Sequence, residues 1–180
     1  GGENRIWKGL ESIPVNLQNA FIDIEDQRFK SHNGVDWKRT VSAFANMFVH
    51  MYSSNQGGST ITQQLVKNLT GDNQQSPMRK IREIMRAQEL EAKYSKEVIL
   101  ECYLNTVTFA NGIGGVEVAS NYYFNKTVSD LSLEECACLA AIVKAPETYR
   151  PDKFPENNAD RRKLVLKKML DLGHITKEEY

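Results

Sequence analysis

The sequence has 180 residues, the length of one ordinary domain, and 41% of them are hydrophobic, which is enough to bury a core without metal or disulfide support. Its 23 Lys and Arg residues balance 23 Asp and Glu residues, so no global charge favours nucleic acid as a partner. No apolar run reaches the roughly 18 residues of a membrane span, and the first residues lack a signal-peptide pattern.

Hydrophobic periodicity indicates the secondary structure. Apolar residues recur every three or four positions along most of the chain, and strict alternation over five or more residues is scarce, so an all-α fold is predicted. Capping-box patterns, in which an oxygen-bearing residue precedes Glu or Gln by three positions, predict helix starts at Thr60, Ser132 and Thr176. The opening Gly-Gly and the helical signal at the end suggest a piece of a longer protein.

The first candidate site is Glu25. If the segment from Phe21 to Phe29 is helical, Phe21, Glu25 and Phe29 lie four residues apart on one face, with the carboxylate between two aromatic rings. Partial desolvation would raise the pKa of Glu25 and suit it to accept a proton near neutral pH. The pattern by itself also allows an exposed glutamate paired with Arg28 or Lys30.

The segment from Val41 to Tyr52 is apolar around much of a helical circumference but too short to span a bilayer. Two interpretations are open: a buried helix, or a helix that dips into a membrane interface.

The second candidate site begins at Gly57 and Gly58, which precede a predicted helix. Free backbone N–H groups at the positive end of such a helix suit phosphate or another anion. The Gly-Lys-Ser/Thr ending of a nucleotide P-loop is missing, and a solvated polar helix face is the alternative. Its apolar side consists of Ile61, Leu65 and Leu69, and its polar side of Thr60, Gln63, Gln64, Lys67 and Asn68.

The third candidate site is Glu83, which follows Arg79 and Lys80 by four and three residues, so that all three share a helix face. The alternatives are an ordinary ion pair worth about 0.3–0.5 kcal/mol, or a pyrophosphate clamp that Glu83 positions. Later segments are predicted to pack in the core, and so are the cysteines, which lack zinc-ribbon spacing: Cys102, Cys136 and Cys138.

In this order the segments closely resemble glycosyltransferase family 51, the peptidoglycan glycosyltransferases. The resemblance covers the chain from about Ile13 onward and rests on Glu25-Asp26-x-x-Phe29-x-x-His32-x-Gly34, on Gly58-Ser59-Thr60-Ile61-Thr62-Gln63-Gln64 with Lys67-Asn68, on Arg79-Lys80-x-x-Glu83, on Tyr103-Leu104-Asn105, and on Arg161-Arg162 before the last helix. It implies one lysozyme-like helical domain over residues 1–180, with a small membrane-facing subdomain at about 41–56.

The resemblance also implies a reaction. The C4 hydroxyl of lipid II attacks the anomeric carbon of a lipid-linked glycan chain, with inversion and release of undecaprenyl pyrophosphate. Glu25 is the expected base and Glu83 the second essential carboxylate. The expected substrate contacts are Phe29, His32, Ser59, Thr60, Gln64, Lys67, Asn68, Arg79 and Lys80, although His32 by itself is typical of a hydrogen-bonded structural histidine.

No cofactor is required by this reaction, but Asp26 beside Glu25 is a candidate ligand for a divalent cation, Mg²⁺ or Mn²⁺. The implied partners are lipid II, the lipid-linked glycan chain, the membrane surface, phosphoglycolipid inhibitors of the moenomycin type and, in a full-length protein, a C-terminal transpeptidase domain. The implied location is the outer face of the bacterial cytoplasmic membrane, with an N-terminal anchor that precedes this sequence.

Two other functions share some of these features. A lysozyme or lytic transglycosylase uses a helical glutamate on the same fold, but needs neither the Gly-Gly-Ser-Thr run nor the cationic cluster around Glu83. A non-catalytic helical module that binds lipid or a cell-wall partner would leave both glutamates merely solvated.

Overall fold

The computed structural model describes residues 6–49 and 58–180. This part of the chain consists of helices joined by turns, which confirms the all-α prediction. The helices are α1 (Val15–Glu25), α2 (Trp37–Val49), α3 (Ile61–Thr70), α4 (Pro77–Lys93), α5 (Lys96–Thr106), α6 (Val116–Phe124), α7 (Leu133–Ile142), α8 (Pro146–Tyr149) and α9 (Pro155–Asp171). Residues 50–56 of the predicted membrane-facing subdomain lie outside the described residues, and its boundaries stay a prediction.

Helix α7 lies in the core and packs against both α1 and α9, which also contact each other. Seven consecutive residues from Cys136 to Ile142 are buried, and most are small, so the neighbouring backbones can approach closely. Cys136 and Cys138 are buried as predicted, whereas Cys102 is half-buried. Burial raises the pKa of the Cys136 thiol to about 12, which marks it as an unreactive packing residue.

The second packing unit is α3, which lies against α4 and α5. The predicted capping boxes at Thr60 and Ser132 are both formed, each with reciprocal hydrogen bonds to the residue three positions later. At Thr176 the same reciprocal bonds to Glu179 form, but the segment is a turn and not a helix.

Helix α1 ends at Glu25, so the predicted helix through Phe29 is wrong. Asp26 leaves the helical backbone region with φ −161° and ψ 72°, and Phe29 lies in the following turn with its side chain buried. Glu25 and Phe29 therefore do not lie on the same face of one helix. Arg28 is also not the partner of Glu25, since its Nε donates to Asp36 Oδ2 at 2.8 Å.

Gly34 sits where the loop after α1 meets α4, and its carbonyl accepts the Thr60 hydroxyl hydrogen bond at 2.7 Å. Its φ is +95°, and a Cβ built on it would lie 2.9 Å from the carbonyl carbon and oxygen of Ala87. A side chain at this position would therefore combine backbone strain with a backbone collision.

We predict that Gly34→Ala lowers the free energy of unfolding by at least about 2 kcal/mol, because left-handed backbone costs a non-glycine residue on the order of 1–3 kcal/mol before the collision is added. Gly71→Ala is the matched control, since Gly71 has φ +67° but no atom within 4 Å of a built Cβ. Urea unfolding measures both. Equal losses in the two variants would contradict the close approach of the loop to α4.

Candidate active site

Glu25 is the last residue of α1, and its side chain is 14% exposed. Gln64 of α3 donates a hydrogen bond from Nε2 to Glu25 Oε2 at 3.4 Å. Arg161 of α9 places Nη2 at 4.0 Å from Oε1 of the same carboxylate. Glu25 therefore lies where three helices meet.

Burial raises the pKa of Glu25 above its ordinary value, although Arg161, the Gln64 hydrogen bond, and the charges of Arg39 and Lys144 act to lower it. The predicted direction of the pKa shift is confirmed. Its cause is desolvation where helices pack, and not a pair of aromatic rings along one helix.

Asp26 and His32 form a buried pair next to Glu25. The Nδ1 atom of His32 accepts from the Gly34 N–H at 3.0 Å, so the proton is on Nε2, which donates to Asp26 Oδ2 at 2.7 Å. This confirms the structural interpretation of His32. The buried ring of Phe29 lies beside it, with the Lys96 ammonium 4.5 Å above its centroid.

The Asp26 carboxylate also accepts the Ile61 N–H at 3.0 Å, at the first turn of α3. The protein's own carboxylate thus occupies the positive helix end that the sequence suggested for an external anion, which corrects that prediction. The hydroxyl of Thr60 is buried and bonded to Gly34 and Gln63, so it acts as a helix cap.

Both partners of the Asp26 carboxylate contact Oδ2, and its buried Oδ1 has no hydrogen-bond partner among the described residues. One free oxygen of a single carboxylate does not form the donor set of a divalent cation. Within residues 6–49 and 58–180, no group of three or more His, Cys, Asp or Glu side chains is arranged to hold a metal ion. Metal dependence stays an untested prediction.

Glu83 lies on the buried face of α4 and is 5% exposed. Arg79 Nη1 and Lys80 Nζ each donate to a different oxygen of its carboxylate, the lysine at 3.0 Å. Lys80 also donates to Ser59 Oγ at 2.9 Å, which connects the segment before α3 to this cluster. The predicted shared face of Arg79, Lys80 and Glu83 is confirmed.

A shallow groove borders this cluster. Its lining includes Lys67 of α3 together with Arg79 and Glu83 of α4. In the described part of the chain, no side chain forms an ion pair with Lys67. Asn68, the next residue of α3, is half-buried.

Helix α3 therefore connects the two carboxylates. Gln64 reaches Glu25 near its start, and Lys67 lies one turn later in the groove beside Glu83. All but one of the predicted substrate contacts thus divide into two groups: those at the carboxylates (Ser59, Gln64, Lys67, Arg79, Lys80) and those inside the scaffold (Phe29, His32, Thr60). Asn68 belongs to neither group.

Two residues near Glu25 were not among the predicted site residues. Arg161 lies within α9 and not before the last helix, and it is far from Glu25 in the sequence. Tyr103 of α5 is fully buried, and its hydroxyl donates to Gln64 Oε1 at 3.2 Å. In the sequence, each residue had one indication of a functional role: it belongs to a segment that resembles the family.

Comparison with known proteins agrees with this geometry. A transglycosylase family model matches residues 1–170. The chain is 44% identical over 177 residues to penicillin-binding protein 1F of Bacillus subtilis (strain 168), covering 98% of this chain and 25% of that protein. It is 43% identical over 180 residues to penicillin-binding protein 1A of Aquifex aeolicus (strain VF5), covering 100% of this chain and 25% of that protein.

A crystal structure of penicillin-binding protein 1A from Haemophilus influenzae superimposes with a TM-score of 0.58 and 25% identity, over 98% of this chain and 16% of that one. The chain spans about a quarter of the length of these curated relatives. It belongs to the transglycosylase family, and the relatives that share this domain are longer penicillin-binding proteins.

Proposed function

We propose that this domain polymerises lipid II into β-1,4-linked glycan strands. The proposal rests on two features that contact α3: the Glu25 carboxylate, whose pKa is raised by burial, and a separate cationic groove. Glu25 is suited to accept a proton, and the cationic groove is suited to bind a departing phosphate group.

In the proposed reaction, the C4 hydroxyl of the acceptor attacks the anomeric carbon of the donor and gives its proton to Glu25. The bond from that carbon to the pyrophosphate oxygen breaks, and the electron pair leaves with undecaprenyl pyrophosphate. Attack opposite to the leaving group inverts the α linkage to β. A carboxylate with a raised pKa is a stronger base near neutral pH than an ordinary glutamate.

Glu83 has a different role in this proposal. Its carboxylate accepts hydrogen bonds from Arg79 and Lys80 and thereby aligns the two cations. Lys67, which has no ion-pair partner among the described residues, is available for the pyrophosphate in the same groove. The two glutamates are therefore not interchangeable.

The membrane surface is the proposed partner because the substrates carry a lipid. Trp37 and Val41 are exposed on α2. Ile81 and Met85 are exposed on α4, whereas Glu83 lies on the buried face of that helix. Exposed apolar faces of this kind mark sites of membrane or protein contact. Across the described ranges, no helix has both the length and the apolar content to cross a bilayer.

The test incubates the domain with lipid II and, separately, with polymeric glycan, and separates the products on a gel. We expect consumption of lipid II and a ladder of glycan chains. Cleavage of polymer without consumption of lipid II would instead support the lysozyme or lytic transglycosylase function.

We predict that Arg79→Ala weakens binding of a moenomycin-type phosphoglycolipid by roughly 10- to 100-fold, since a charge-assisted hydrogen bond contributes about 1.5–3 kcal/mol. Arg82→Ala is the control, because Arg82 lies on the same helix and pairs with Asp72. Isothermal titration calorimetry measures both dissociation constants. An unchanged constant for Arg79→Ala would remove Arg79 from the phosphate site.

A further inference from the structure

A chain of two hydrogen bonds runs from α5 through α3 to the end of α1. The Tyr103 hydroxyl donates to Gln64 Oε1 at 3.2 Å, and Gln64 Nε2 donates to Glu25 Oε2 at 3.4 Å. The chain thus links a tyrosine in the core to the proposed base through a single amide.

The direction of the chain follows from the chemistry of its ends. Burial, together with the negative charges of Glu25 and Asp26, raises the pKa of Tyr103 well above its ordinary value, so the phenol keeps its proton. A phenol that donates to the amide oxygen of Gln64 leaves the amide nitrogen for Glu25. The flipped amide would place its oxygen against the carboxylate, with two acceptors facing each other.

Gln64 donates a hydrogen bond to the Glu25 carboxylate itself. Arg161 from α9 and Lys144 beyond α7 act on this carboxylate as charges, whereas Arg39 from α2 acts as a charge and also donates from Nη1 to the backbone carbonyl of Glu25 at 2.6 Å. Within the described residues, the other carboxylate oxygen of Glu25, Oε1, has no hydrogen-bond partner. The orientation of the carboxylate therefore depends on the orientation of the Gln64 amide.

We propose that Tyr103 is a positioning residue for catalysis: its hydroxyl fixes the Gln64 amide so that the amide nitrogen holds the base Glu25. The sequence resemblance suggested a substrate contact for Gln64, and this arrangement assigns it to the base instead. The inference rests on the proposed function, since it requires that Glu25 accept the proton.

Tyr103→Phe tests it, because the ring keeps its edge-to-face contact with Phe21 and loses only the hydroxyl. We expect kcat for lipid II polymerisation to fall by roughly tenfold, less than the about 10²- to 10⁴-fold contribution of the base itself because Glu25 remains, with KM unchanged. The acid limb of the kcat–pH profile should move to higher pH, because the Gln64 bond favours the charged form of Glu25.

The matched control is Tyr123→Phe, which makes the same chemical change at a buried hydroxyl that has no hydrogen-bond partner in the described part of the chain. Its kcat, KM and pH profile should equal those of the parent. A Tyr103→Phe variant with the kcat and pH profile of the parent would overturn the proposal.

A double-mutant cycle with Gln64→Met separates positioning from substrate contact. Adding Tyr103→Phe to Gln64→Met should change nothing further, because Tyr103 acts through Gln64. The proposal would be overturned if Tyr103→Phe lowered kcat equally in the parent and in the Gln64→Met variant. It would also be overturned if Gln64→Met raised KM without moving the acid limb of the pH profile. Gln64 is only half-buried, so this variant decides the matter if Tyr103→Phe fails to fold.

The parent domain is assayed first. If it does not consume lipid II, the proposed function fails. If it does, and Tyr103→Phe behaves as the parent, the positioning role alone fails.

Discussion

Glu25→Gln is expected to reduce the rate of lipid II polymerisation by about 10²- to 10⁴-fold, the usual contribution of a general base. The glutamine is nearly isosteric with glutamate, so the side chain at position 25 loses its charge but keeps its distances to Gln64 and Arg161. Binding of a moenomycin-type phosphoglycolipid should persist, because the cationic groove beside Glu83 is untouched.

The pH dependence of the parent follows from the raised pKa of Glu25. A base works as its carboxylate, so activity should fall as the pH drops through this pKa, above the range of an ordinary glutamate. The same shift bears on stability. The folded pKa of Glu25 exceeds the unfolded one, so the charged form of Glu25 costs stability as the pH rises through the interval between the two values.

Glu25→Gln removes that cost, and its melting temperature at neutral pH should equal or exceed that of the parent. Differential scanning calorimetry and the polymerisation assay are run on the same preparation. The control is Glu97→Gln, an exposed glutamate in the first turn of α5. A folded Glu25→Gln variant that polymerises lipid II at the parent rate would contradict the assignment of the base.

Glu83→Gln is expected to lower both donor binding and stability. The substitution leaves Arg79 and Lys80 without the carboxylate that holds them, at a position where Glu83 is nearly buried. The loss of charge-assisted bonds at such a site costs about 1–3 kcal/mol of unfolding free energy. Without fixed cations, kcat/KM for lipid II should fall at least roughly tenfold.

Glu91→Gln is the matched control, since Glu91 is a buried glutamate of the same helix that pairs with Lys96 and Thr62. It should lose stability without weakening phosphoglycolipid binding. Glu83→Gln should also keep the acid limb of the pH profile, because Glu25 remains. If Glu83→Gln moved that limb as Glu25→Gln does, the division of roles between the two carboxylates would be wrong.

The parts of the structure that follow local rules could be predicted from the sequence. The capping boxes at Thr60 and Ser132 depend on residues three positions apart, and both form. The cluster of Arg79, Lys80 and Glu83 depends on one turn of one helix, and it also forms. At this range the helical backbone already determines which side chains meet.

Predictions failed where a distant group competed with a local pattern. The spacing of Phe21, Glu25 and Phe29 favoured one helix, but Asp26 leaves the helix and caps Ile61 in α3. The same contact occupies the helix end that was predicted to bind phosphate. Leu69 of the predicted apolar line of α3 is likewise exposed, since it lies at the end of the helix and beyond its buried face.

By itself the sequence determined the helical class, the helix starts at Thr60 and Ser132 and the shared face of Arg79, Lys80 and Glu83, because periodicity, capping and helical spacing are properties of the chain. The tertiary structure decided what surrounds Glu25. Burial desolvates its carboxylate, the charge of Arg161 comes from α9, and the hydrogen bond from Gln64 comes from α3. Tyr103 of α5 in turn donates to the Gln64 amide. A pKa depends on neighbours in space, and these neighbours are brought together only when the helices pack.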